Sequence, residues 1–146
     1  MRFIGFEREQ DAIKWARRRI GAKGGGFCRA VSAVDGKDRF CCVMVLSGFS
    51  PCNIDVHVAA VDGFKWATPT AFVEMYNFVL NYVFVLHKAL RATALIRAGN
   101  TKAIDFVLKL GFTHEGRMRK AFNGEDLCIY GILEEDFKSH KWYRSQ

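Results

Sequence analysis

Residues 53–98 limit the fold more than any other part of this chain. Asn53 to Val61 alternates with period two: Ile54, Val56, Val58 and Ala60 face one way, and Asn53, Asp55, His57 and Ala59 face the other. That is a strand with one apolar face and one face carrying two titratable groups. Thr68 is a good N-cap, Pro69 suits a first helical position, and the helix is expected from Thr70 to Leu90. Glu74, Asn77, Asn81 and Lys88 draw one narrow polar stripe along it. A helix so patterned lies on a sheet and not in lipid. Arg91 to Ala98 is the next strand. A strand, a long helix and a strand in that order fold as a right-handed crossover between parallel strands.

The unit then extends through TALIRAGNTKAIDFVLKLGFTHEG, residues 93–116. Gly99-Asn100-Thr101 breaks the strand, and Asn100 or Thr101 is suited to cap a helix. Ala103, Ile104, Val107 and Leu110 form its apolar face, while Lys102, Asp105 and Lys109 fall opposite. Gly111 stands where a left-handed stop is expected.

Upstream, Glu7 to Ile20 reads as a helix with acids at its start and Arg17, Arg18 and Arg19 near its end, complementing the helix dipole. The arginines read as a solvated helix end, with phosphate contact as the alternative. GAKGGG, residues 21–26, is a loop and lacks the ending of a P-loop. Phe27 to Val34 and Arg39 to Leu46 read as strands joined by the turn Asp35-Gly36-Lys37-Asp38. Thr113 to Phe122 and Leu127 to Leu133 form a last pair around Asn123-Gly124, and Glu134 to Tyr143 is a short helical tail. One domain, residues 1–146, is expected, with no linker or repeat.

The five cysteines form no Cys-x-x-Cys pair and have no zinc-like spacing to histidine, so they read as reduced thiols and no metal is expected. The opening MRFIGFEREQ lacks the apolar core of a secretion signal, so a cytoplasmic protein is expected. The net charge of +7 suits anionic partners such as a polyphosphate cofactor, nucleic acid or an acidic substrate, the alternative being a basic soluble protein with no special partner.

Asn100, Ala103, Lys109-Leu110-Gly111-Phe112 and Glu115-Gly116, in that order, resemble the GNAT superfamily of acyl-CoA-dependent N-acetyltransferases. With Arg119, Asp126 and Tyr130-Gly131 they look most like the branch that acetylates ribosomal-protein N-termini, and like small phage and prophage members. The resemblance implies an α/β (α+β) fold, a mixed central sheet with the parallel βαβ unit at an acyl-CoA site. It implies acetyl-CoA as acyl donor and an amine acceptor: a protein N-terminus, a lysine, a small amine or a base of modified phage DNA. A phage-encoded protein would work in the host cytoplasm, and a dimer is compatible with the family. The alternative is a non-catalytic module of the same fold that binds nucleic acid or protein.

The resemblance also assigns roles. The donor pyrophosphate would sit on the backbone of Gly63, Phe64, Lys65, Trp66, Ala67 and Thr68. There Asp62 replaces the family's Gln or Arg, and Lys65 replaces a glycine. The strands would splay around the pantetheine arm, with a backbone N–H of Val58 or Ala59 on the thioester oxygen and Asn100 and Ala103 beside the arm. His57 is the expected general base, oriented by Asp55 or acting with it through water. The family's thiolate-protonating tyrosine is replaced by Val107, so that role is vacant or passes to Tyr130 or water. Arg117, Arg119 and Lys120 read from the sequence as a solvated basic strand edge, with contact to an acidic acceptor or nucleic acid as the alternative.

Overall fold

The computed structural model describes residues 1–20, 26–61 and 69–145. Its strands are β1 (Arg2–Gly5), β2 (Arg29–Val34), β3 (Phe40–Ser47), β4 (Asn53–Ala60), β5 (Arg91–Arg97), β6 (Thr113–Phe122) and β7 (Glu125–Leu133). Its helices are α1 (Glu9–Ile20), α2 (Pro69–Asn81), α3 (Thr101–Lys109) and α4 (Glu134–Ser139). The strands form one sheet in the order β1-β2-β3-β4-β5-β7-β6. Among the described strands only β4 and β5 pair in parallel, as the crossover through α2 requires.

The period-two pattern of each strand decides which layer covers which face. Ile54 and Val56 of β4, Ala92, Ala94 and Ile96 of β5, and Ile132 of β7 are buried with Met75, Val79 and Leu80 of α2 and Phe106 and Val107 of α3. On the opposite face Ala12, Ile13 and Ala16 of α1 cover Ala30, Val43 and Ala59. Cys41 and Cys42 point to opposite faces, and all five cysteines are free thiols. Among the described residues, no helix is long and apolar enough to cross a membrane.

Three elements depart from the sequence expectation. β1 is a strand of four residues, too short for alternation to reveal; it exists through its pairing with β2 and through Phe3 and Phe6, whose rings meet Phe78 edge-on at 5.2 and 5.3 Å. α1 begins at Glu9, because Glu7 belongs to a turn onto Ile4 and Arg8 takes a φ of 56°. The long helix ends early: α2 stops at Asn81 and widens into a π-helical turn, Tyr82–Leu86. Lys88 then reverses the chain at a φ of 60°, and Leu90 and Arg91 donate to the carbonyl of Cys52. The widened turn buries Val83 and Phe84 while His87 reaches the Ser50 carbonyl at 2.9 Å.

The expected stops hold. Gly111 ends α3 at a φ of 93°, and Asn123-Gly124 turns β6 into β7 with both residues left-handed. Asp35 accepts the amides of Lys37 (2.8 Å) and Arg39 (3.1 Å), which closes the β2–β3 turn.

Candidate active site

β4 and β5 pair only at Asn53–Arg91, Ile54–Ala92 and Asp55–Thr93. Beyond that point both strands continue, β4 to Ala60 along β3 and β5 to Arg97 along β7. They therefore part, and among the described residues the flank of Val56–Ala60 that faces β5 has no strand partner. A cleft of about 990 Å³ opens there, lined by His57, Val58 and Ala59 of β4, Leu95 and Arg97 of β5, and Asn100 and Ala103 at the start of α3. Unpaired strand backbone at a cleft wall is a ready partner for an extended, amide-bearing ligand.

Of the residues expected at the site, the structure thus brings together His57, Val58, Ala59, Asn100 and Ala103. Gly63, Phe64, Lys65, Trp66, Ala67 and Thr68 lie outside the described residues. Asn100 caps α3: its side-chain oxygen accepts the Ala103 amide at 3.3 Å. It therefore borders the cleft and holds the helix that forms one wall. Val107 lines the cleft as an apolar residue.

His57 projects from the face covered by α1, where Val45 is its cross-strand neighbour. Its imidazole is held below the ordinary histidine range, because burial disfavours the imidazolium more than nearby Asp55 favours it. It is therefore neutral, and able to accept a proton, at neutral pH. No hydrogen bond joins the ring to Asp55. The Asp55 carboxylate accepts from Asn53 Nδ2 at 2.9 Å. The Asn53 side-chain oxygen accepts from Thr93 Oγ1 at 2.6 Å, and Thr93 Oγ1 accepts from Arg91 Nε at 2.9 Å. Arg91 pairs in turn with Glu115. Asp55 thus closes a polar relay drawn from β4, β5 and β6, and acts on His57 by charge.

This relay escaped the sequence reading, although the signal was present: Asn53 with Asp55, and Arg91 with Thr93, share one face at period two. It also accounts for part of the Glu-Gly and Tyr-Gly motifs. The Arg91–Glu115 pair lies directly on Gly131, where a Cβ would strike both side chains. Asp126 accepts the Lys120 amide at 2.8 Å and Arg117 Nε at 2.6 Å, so it fixes the β6–β7 hairpin.

Two expectations are corrected. Tyr130 is buried beneath the sheet and does not line the cleft, and its hydroxyl is pushed up by burial, so it is not placed to protonate a leaving thiolate. Its position follows from pairing with Ala94, which turns both side chains into the core. The arginine run is not only a solvated helix end: Arg17 and Arg19 border the cleft. Arg19 donates to the Ala60 carbonyl at 2.9 Å and lies over the Trp15 ring at 5.0 Å. α1 crosses β2, β3 and β4, which delivers its last turn to the end of β4. Among the described residues no cluster of His, Cys, Asp and Glu is placed to hold a metal.

No family model matches the sequence, and no curated protein matches it. Solved structures do. A spermidine N-acetyltransferase SpeG chimera from Vibrio cholerae and hSSAT superposes with a TM-score of 0.66 at 13% identity, over 92% of this chain and 98% of that one. A probable acetyltransferase gives 0.63 at 16%, over 84% and 69% of the two chains. The ribosomal-protein-S5-alanine acetyltransferase from Vibrio fischeri gives 0.63 at 15%, over 80% and 64%. At such identities the likeness shows the fold, and that fold is the GNAT fold, with its mixed sheet and one parallel strand pair.

Proposed function

We propose that this protein is an acyl-CoA-dependent N-acyltransferase that moves an acetyl group from acetyl-CoA to an amine. The observation that carries the reading is the parting of β4 and β5 beyond Asp55 and Thr93, with His57 on the wall of the cleft so formed. The amine nitrogen attacks the thioester carbonyl; an N–C bond forms and the C–S bond breaks. His57 accepts the proton the amine gives up, and Asp55 steadies the resulting imidazolium through space. A backbone N–H of Val58 or Ala59 meets the charge that develops on the carbonyl oxygen. With Val107 apolar and Tyr130 buried, the thiolate is protonated from water.

Acetyl-CoA is expected to bind with its pyrophosphate on the amides of Gly63 to Thr68 and its pantetheine between the strands. Calorimetry with acetyl-CoA and with free CoA measures this; absence of heat at millimolar ligand would overturn the reading. Asn100→Ala should lower stability by about 1 kcal/mol through the lost cap. It should also weaken acetyl-CoA binding beyond what that loss of stability explains. Unchanged affinity alongside the lower melting temperature would leave Asn100 a cap and nothing more.

One observation favours a second reading, a nucleic-acid-binding module. β6 is an exposed edge bearing Arg117, Arg119 and Lys120. Arg117, however, is paired with Asp126. Salt-sensitive binding of an oligonucleotide without affinity for acetyl-CoA would decide for that module.

A further inference from the structure

The two ends of the cleft differ in chemistry, and the difference bears on the acceptor. At the Ala60 end stand Arg19, Arg97 and Lys102, a setting for the donor's phosphates. The other end lies five residues back along β4, roughly 17 Å away at strand rise. There Ser47 is paired with Asp55, and Gly48 and Phe49 continue the wall. The Phe49 ring meets that of Phe27 at 5.3 Å, and Phe27 is 70% exposed. A phenyl ring left so open at a cleft wall offers a face for another flat apolar group.

Beside this pair is an uncommitted cation. Arg17 lines the cleft next to Cys28, and its hydrogen bond runs to the Cys28 sulfur at 3.7 Å, a weak acceptor. Among the described residues no carboxylate pairs with it. Among the described residues that line the cleft there is also no Asp or Glu. Two carboxylates of the neighbouring relay, Asp55 and Glu115, hold Asn53 and Arg91. A polycation would meet several like charges here, and the one acid beside this end, Asp55 against Gly48, is already held by Asn53, which disfavours it.

Resting on the acyltransfer reading, we propose that the acceptor is a primary amine on an aromatic body that also carries a carboxylate, in the manner of an aromatic amino acid. Its ring packs on Phe27 and Phe49, its carboxylate takes the Arg17 guanidinium, and its amine reaches His57. The fold shared with spermidine N-acetyltransferases then does not extend to a polyamine acceptor.

The test is acetyl transfer by the full chain with acetyl-CoA and L-phenylalanine, phenethylamine or spermidine. Product is followed by mass, since the five free cysteines would react with thiol reagents. L-Phenylalanine should be preferred to spermidine by about tenfold or more in kcat/KM. In Arg17→Gln the preference for L-phenylalanine over phenethylamine should fall by about tenfold, the loss expected for one charge-assisted hydrogen bond. Phe27→Ala should raise KM for both aromatic amines. Circular dichroism confirms that each variant is folded. Preference for spermidine, an unchanged ratio in Arg17→Gln, or acetyl-CoA binding without acetylation of either aromatic amine would each overturn the acceptor assignment. Failure to bind acetyl-CoA at all would instead remove the acyltransfer reading beneath it.

Discussion

Replacing His57 by glutamine is expected to slow the chemical step about 10²-fold or more and to flatten its pH dependence. A base accepts a proton only when neutral. Burial holds the His57 imidazole below the ordinary value, with Asp55 opposing in part. The wild-type rate should therefore climb with pH through a midpoint below the usual 6.5 or so and stay level across neutrality. Glutamine keeps the size and a hydrogen-bonding end but cannot take the proton. Acetyl-CoA affinity should remain close to that of the wild type. An unaltered pH–rate profile in the variant, with an identified acceptor, would make His57 structural and Asp55 or a strand-bound water the next candidate. Asp55→Asn should cost less, because Asp55 reaches His57 by charge and not by a hydrogen bond.

The same shift has a consequence for stability, with a fixed sign. The unfolded histidine titrates at about 6.5 and the folded one lower. Between those values the unfolded chain binds more protons, so stability falls as pH drops below about 6.5 and levels off beneath the folded value. His57→Gln removes that portion of the acid sensitivity.

Ile54→Ala is expected to destabilise the protein by about 3 kcal/mol and to lower Tm by roughly 10 °C. Ile54 is fully buried between β4 and the helices beneath the sheet. It pairs with Ala92 in the short stretch where β4 and β5 are still joined. Truncation leaves a cavity that backbone on both sides prevents from collapsing. The side chain points away from the face that bears His57, so acetyl-CoA binding by the folded fraction should be preserved. A loss below about 1 kcal/mol in denaturant unfolding would mean that the site repacks. A loss of binding at full folding would mean that the strand pair itself sets the splay.

Much of the fold is written locally. Period-two alternation in Asn53–Ala60 marks both strand faces: Ile54 and Val56 lie in the core with α2 and α3, and Ala59, on the face of Asp55 and His57, lies under α1. Pro69, Asn100, Gly111 and Asn123-Gly124 act through their own backbone preferences, so they mark boundaries whatever surrounds them. β1 and the end of α2 were not legible for the converse reason. β1 exists by pairing with β2, and the π-helical turn forms against Ser50 and Cys52, some thirty-five residues earlier in the chain.

The candidate site divides in the same way. The sequence by itself determined which residues share a strand face, so His57 and Asp55 could be named together, and the crossover fixed that β4 and β5 run parallel. It determined also that Asn100 would cap the next helix. Only the tertiary structure decided where β4 and β5 part, since strand pairing depends on the partner's path and leaves no periodic trace. It alone decided that Asp55 is held by Asn53, that Tyr130 turns into the core, and that α1 carries Arg17 and Arg19 to the cleft. Those outcomes rest on contacts between residues distant in the chain, and such contacts are set by how the layers pack and not by any local preference.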